Sequence, residues 1–286
     1  MMTSGKEEIP GFQRFDHKAS VQVQSGEMAI DHPVFFAGKG PAILLMHELP
    51  GLAQPCVDFA MRLIAADFEV FMPQLIGPLL RYEPWRNVAR LCISAEFARL
   101  RAGEAAPIAD WLRDLARRIS IERNQARIGA IGMCLTGAFV IPLLLEPEVQ
   151  AVVASQPSVP FNLRYVLFGG PVGQGAWQYQ INASDEQLEQ AVRCARGGNK
   201  VILIQRFSAD RLCPKARNER LATAFNQTAL NYDTSPLREW SARPPHALLT
   251  EEFDRAKRNG PVPESDPTRI ALQRVIDFFK HALKTS

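Results

Sequence analysis

The sequence predicts an α/β protein, a mostly parallel central sheet flanked by helices on both faces. Three observations point there. Short, continuously apolar runs at 41–46, 128–131 and 151–155 have the character of strands buried on both sides. Stretches of helical periodicity alternate with them, the pattern of successive βαβ units. The 286 residues, 47% of them hydrophobic, are enough for one such domain with a sizeable core.

Taken in order, residues 1–18 are polar and are expected to form a surface lead-in to a single domain over 19–286. Segments 21–23 and 27–36 suit two antiparallel edge strands joined at Ser25-Gly26. The buried strand 41–46 then ends in the loop His47-Glu48-Leu49-Pro50-Gly51. A helix over 55–66, a strand over 69–73 and helices over 87–101 and 104–119 follow. After the strand 128–131 come an apolar helix, the strand 151–155 and a long connection, 156–182, rich in Pro and Gly. Connections of that length in compact domains usually form lids or binding segments. A helix over 184–196, a strand over 200–206, a helix over 214–227, a strand over 237–242 and a helix over 266–283 complete the pattern.

Charge and cysteine content exclude several classes. Lys and Arg number 33 against 30 Asp and Glu, and a net charge of +3 suggests neither a nucleic-acid nor a membrane partner. Residues 1–8 lack the apolar centre of a signal peptide, and no run approaches the ~18 apolar residues of a membrane span. Five irregularly spaced cysteines, with no Cys-x-x-Cys pair, argue against disulfides and structural metal. The expectation is a cytoplasmic protein with no cofactor and no metal, a monomer or small homo-oligomer.

The most informative stretch is residues 127–140, with Gly132-Met133-Cys134-Leu135-Thr136-Gly137 at its centre. A β-type run meets a glycine, then a cysteine, then an apolar helical segment. That order suits a sharp strand-to-helix turn with the cysteine at its apex, where a helix N-terminus favours a thiolate. In parallel sheets ligands bind beyond the carboxyl ends of the strands. Chemically capable residues should therefore follow strands, and four do: Glu48, Cys134, Asp210 and His246.

Each residue also has a plainer role open to it. Cys134 is equally a core residue type. Asp210 suits a helix cap, with Asp233 as the alternative acid. His246 competes with His47 as the base, and Glu48 suits a simple loop carboxylate.

Together these residues resemble the dienelactone hydrolase family of α/β-hydrolases, over about residues 20–283. The elbow is similar to the family's Gly-x-Cys-x-Gly-Gly, and the chain order nucleophile, acid, histidine is the α/β-hydrolase order. The resemblance implies a small-molecule ester or lactone substrate, with Cys134 as nucleophile, His246 as base and Asp210 as orienting acid. It further implies an oxyanion hole from the N–H groups of Leu49 and Leu135, and Arg81 as a substrate-carboxylate ligand. Glu48 would hold the cysteine neutral until substrate displaces it. Two positions depart from the family pattern: Thr136 stands at a glycine position, and Thr250 stands where a second arginine is expected. A thioesterase or general carboxylesterase on the same fold, or a catalytically silent binding protein, is the alternative.

Overall fold

The computed structural model describes residues 8–23, 26–97, 106–158, 175–181, 183–233, 245–257 and 260–284. An eight-stranded sheet forms the centre, in the order β1-β2-β4-β3-β5-β6-β7-β8. Its strands are β1 (Gln13–Val23), β2 (Gly26–Gly38), β3 (Ala42–Met46), β4 (Glu69–Pro73), β5 (Ile128–Met133), β6 (Val149–Ser155), β7 (Val201–Phe207) and β8 (Leu230–Tyr232). The first two pair antiparallel with each other, and β2 pairs antiparallel with β4. Every later pairing is parallel.

The central strands β3, β4 and β5 are buried at every position. This is why β3 and β5 appear in the sequence as unbroken apolar runs rather than alternating ones. Helices cover both faces. On one side lie α3 (Pro107–Arg123), carrying Trp111, Leu112 and Leu115, and α5 (Asp185–Gly197), carrying Leu188. On the other lie α1 (Gln54–Ile64), through Phe59 and Leu63, and α8 (Pro267–Ala282), through Val275 and Phe279. The remaining helices are α2 (Pro84–Ile93), α4 (Val140–Leu143), α6 (Lys215–Phe225) and α7 (Glu251–Ala256).

Helix starts follow local chemistry. Pro55 and Pro107 occupy the first turn of α1 and α3, where a missing N–H costs nothing. Ser184 and Gln187 close a reciprocal capping box on α5. Asp266 caps α8 by accepting from the Thr268 N–H. Among the described residues no helix is long and apolar enough to cross a membrane.

Several expected elements move. Residues 13–18 are not a lead-in but the first half of β1, with Gln13 opposite Phe36 and His17 opposite His32. An edge strand carries polar side chains on its open face, so its low hydrophobicity concealed it. The stretch 87–101 is α2 followed by a 3-10 turn at Ala95–Phe97, with 98–101 outside the described residues. The helix after the elbow is a 3-10 turn, Cys134–Ala138, leading into the four-residue α4. The strand expected at 237–242 and most of 156–182 lie outside the described residues. The described neighbour of β7 is instead β8, three residues long.

Strand register brings the parallel strands to a common rim. Met46 pairs with Gly132, Met133 with Ser155, Ser155 with Gln205, and Phe207 with Tyr232. The chain segments that leave these strands therefore meet along one line.

Candidate active site

The elbow at the end of β5 is strained by design. Cys134 has φ +53°, in the left-handed region that non-glycine residues rarely occupy. The turn is tight enough that a Cβ on Gly132 would lie 2.2 Å from the Thr136 carbonyl oxygen. Thr136 is itself built into the turn. Its Oγ1 accepts from the Met133 N–H at 2.9 Å and lies 3.1 Å from the Met46 carbonyl, to which it can donate. A hydroxyl thus ties the elbow to the end of β3, where a glycine could not.

Asp210, in the turn after β7, divides its carboxylate between two tasks. Oδ1 accepts from the N–H groups of Leu212 at 2.8 Å and Cys213 at 3.1 Å, which closes the turn. Oδ2 lies 2.7 Å from Nδ1 of His246. The capping role and the imidazole-orienting role belong to the same side chain. Asp233, the other acid considered, is exposed at the end of β8.

His246 lies in the segment before α7. Burial by itself would push its imidazole down, but Asp210 and Cys134 outweigh burial and hold it well above the ordinary histidine value. Ser158 lies between the ring and the elbow: its Oγ is 3.1 Å from Nε2, and its N–H donates to the Cys134 carbonyl at 3.0 Å. The Asp210 carboxylate, the His246 imidazole, Ser158 and the Cys134 backbone form one connected chain of hydrogen bonds.

His47 plays a different part. It has no exposed surface, and burial drives its imidazole down to about 4, so it is neutral. Its Nε2 accepts from the N–H groups of Leu75 at 3.0 Å and Ile76 at 3.4 Å, which leaves Nδ1–H to donate to the Glu48 carbonyl at 2.7 Å. His47 pins the turn after β3 and is not placed as a base.

Glu48 is nearly buried, and each carboxyl oxygen has its own donor. Oε1 accepts from Gln156 Nε2 at 2.8 Å, and Oε2 accepts from Thr250 Oγ1 at 2.7 Å. Burial, with the nearby Glu251 charge, raises it to about 7 against the lowering effect of His246 and both hydrogen bonds. Thr250 thus grips Glu48 from the position where an arginine was expected. A depression of about 210 Å³ opens beside Glu48, bordered also by Gly51, Cys56, Tyr82 and Glu251.

Arg81 is not part of this network. Its side chain is exposed, and among the described residues it makes no hydrogen bond or ion pair. Two residues that the sequence did not single out, Gln156 and Ser158, leave β6 and reach Glu48 and His246. The rule that chemistry follows strand ends would have found both. Among the described residues no cluster of three or more His, Cys, Asp or Glu is placed to hold a metal ion.

Comparison with known proteins agrees with this geometry. The family model of the dienelactone hydrolase family matches residues 31–283. This chain belongs to the dienelactone hydrolase family. Membership brings an eight-stranded, mostly parallel α/β-hydrolase fold and places the chain among hydrolases. A dienelactone hydrolase from Anabaena variabilis shares 13% identity at a TM-score of 0.53, covering 96% of this chain and 100% of its own. A cold-adapted esterase from an Arctic intertidal metagenomic library shares 14% at 0.53, covering 99% and 100%. A dienelactone hydrolase-like promiscuous phosphotriesterase from metagenomic libraries shares 12% at 0.52, covering 95% and 99%. At these identities the likeness is one of fold. No curated protein matches the chain in sequence.

Proposed function

We propose that this member of the dienelactone hydrolase family cleaves a lactone or small carboxylic ester through Cys134, His246 and Asp210, without a cofactor. The observation that carries the proposal is the contact of 2.7 Å between Asp210 and His246, with Ser158 joining the ring's Nε2 at 3.1 Å to the carbonyl of the strained Cys134 at 3.0 Å. That arrangement supports reading Cys134 as a nucleophile served by the His246–Asp210 pair.

In this reading the Cys134 thiolate attacks the substrate carbonyl carbon. The N–H groups of Leu49 and Leu135, each one residue past a strand-end loop position, hold the oxyanion. The His246 imidazolium gives its proton to the leaving alkoxide, and an acyl-thioester remains on Cys134. His246 then takes a proton from water, whose oxygen attacks the thioester and restores the thiolate. Asp210 stays ionised throughout and fixes Nδ1–H toward itself. A thiolate suits activated esters and lactones better than amides, whose leaving groups are poorer. The free thiols of Cys56, Cys134, Cys194 and Cys213 suit a reducing compartment such as the cytoplasm.

Replacing Cys134 by Ala tests the proposal on a chromogenic short-chain ester. The expected result is a fall in turnover of at least about 10³-fold with an unchanged melting temperature. Undiminished hydrolysis by the variant would remove the sulfur from the mechanism.

A further inference from the structure

We infer that Arg206 is a positioning residue: its guanidinium grips the turn that carries Asp210, and so aims the Asp210 carboxylate at His246. The inference rests on the roles proposed above for Asp210 and His246, and it names what keeps the acid in place.

Arg206 is out of character with its strand. β7 reads Val-Ile-Leu-Ile-Gln-Arg-Phe, and the arginine in it is only 3% exposed. Taking that charge out of water is costly unless polar groups replace the water. Among the described residues Arg206 forms no ion pair, and its three hydrogen-bond partners are neutral oxygens. Nε donates to the Cys213 carbonyl at 2.8 Å, Nη2 to the Asp210 carbonyl at 2.9 Å, and Nη1 to Asn231 Oδ1 at 2.9 Å. Two of the three bonds go to one turn, 210–213. That turn is what the buried charge serves.

The turn needs an outside hold. Ser208, Ala209 and Arg211 beside Asp210 are exposed, and no helix or strand includes them. Within the turn, Asp210 Oδ1 accepts from the N–H groups of Leu212 and Cys213. The Asp210 N–H donates to the Phe207 carbonyl at 3.2 Å, which ties the turn to the strand at one point. Arg206 adds two more, one at each end. With its carbonyl and Oδ1 both held, Asp210 keeps Oδ2 directed at His246 Nδ1, 2.7 Å away.

The fork is itself held flat. Arg206 lies opposite Asn231 in the β7–β8 pairing, and the Asn231 carbonyl oxygen engages the nitrogen that does not touch the turn. A lysine could bring a charge to the same depth, but an ammonium has no rigid planar fork to span two carbonyls. Arg217, also buried, donates to the Pro157 and Trp177 carbonyls instead. Among the described residues no group other than Arg206 donates to the Asp210 carbonyl.

A double-mutant cycle with Asp210→Asn tests this, because a residue that acts only through Asp210 has nothing left to act on once that carboxylate is gone. Arg206→Lys is placed in the wild type and in Asp210→Asn, and kcat and KM are measured on a chromogenic short-chain ester. In the wild type the substitution should lower kcat about tenfold, the worth of one hydrogen bond from a charged group, with KM within about twofold. In Asp210→Asn the same substitution should change kcat by less than about twofold. Should Arg206→Lys fail to fold, Asn231→Ala takes its place in the cycle. It frees the same guanidinium from an exposed position, with about threefold expected in the wild type and no loss in Asp210→Asn.

An equal loss of kcat in both backgrounds overturns the inference, since the arginine would then serve the fold at large. So does an unchanged kcat in the wild-type background, or a loss confined to KM; each of these leaves the catalytic assignment intact. An Asp210→Asn enzyme as active as the wild type overturns that assignment and the role of Arg206 together.

Discussion

Asp210 and His246 are 36 residues apart in the chain, yet the Asp210 carboxylate lies 2.7 Å from the imidazole Nδ1. The other oxygen of that carboxylate closes its own turn through the N–H groups of Leu212 and Cys213. Asp210→Asn separates the two tasks. The amide oxygen can still accept from both backbone groups, whereas the amide NH₂ can only donate to Nδ1, which forces the proton onto the wrong ring nitrogen. We expect kcat to fall about 10³- to 10⁴-fold while the melting temperature changes by only a few degrees. Parallel kinetics and thermal melts check this. A variant that loses stability and activity in proportion would reduce Asp210 to a turn residue.

What the sequence disclosed, and what it withheld, follows from the type of residue involved. Cys134 and Asp210 could be singled out because each is a chemically distinctive side chain placed just after an apolar strand, whereas His246 was placed by a strand expected at 237–242, outside the described residues. Gln156 and Ser158 occupy the same kind of position after β6 but belong to types common in any loop. Only the distances to Glu48 and His246 set them apart. The strand β8 has three residues, too few for any periodicity to register. The first half of β1 was hidden because its polar face obscures the alternation that buries His17. Arg81 came from family likeness rather than from local pattern, and its side chain is exposed. The substitution of Thr250 for an expected arginine was visible in the sequence, but its bond to Glu48 was not.

Glu48 makes stability depend on pH. Its folded value of about 7, raised chiefly by burial from an ordinary 4.5, means that the folded protein keeps this proton where the unfolded chain releases it. The contribution is whole below pH 4.5 and is lost as pH rises through about 7, at a cost of about 3 kcal/mol. Glu48→Gln removes the charge while leaving one acceptor for Gln156 and an NH₂ for the Thr250 hydroxyl. The variant should melt close to wild type near about pH 5 and about 5 °C or more above it near about pH 8. Melting curves at the two pH values check this. Equal differences at both would show that the buried carboxyl does not titrate between them.

The elbow tolerates no side chain at Gly132. An added Cβ would lie 2.2 Å from the Thr136 carbonyl oxygen, which is backbone and cannot swing aside. Gly132→Ala should cost about 3 kcal/mol or more and abolish ester turnover, because relieving the clash displaces Cys134. Gly197→Ala is the control, since among the described residues, its chain neighbours and own helix backbone aside, a methyl group there would have no atom within 4 Å. Urea titrations of both variants against wild type give the comparison. An alanine at 132 with native stability would mean that the turn is looser than its contacts indicate.

His47 is the most tempting misreading of the site, because it stands beside Glu48 at the strand rim. Its hydrogen bonds argue against catalysis. Both ring nitrogens are engaged by backbone, and an imidazole held near 4 by burial remains neutral across the range in which a general base must titrate. Removing it should damage the fold rather than the proton transfer. His47→Leu leaves the Leu75 and Ile76 N–H groups buried without an acceptor, at a cost of about 2–4 kcal/mol. The rate that remains, measured well below the melting temperature, should keep the wild-type pH profile, because in the proposed mechanism that profile belongs to Cys134 and His246. Loss of the acidic limb in the His47 variant, with the fold intact, would transfer the base role to His47.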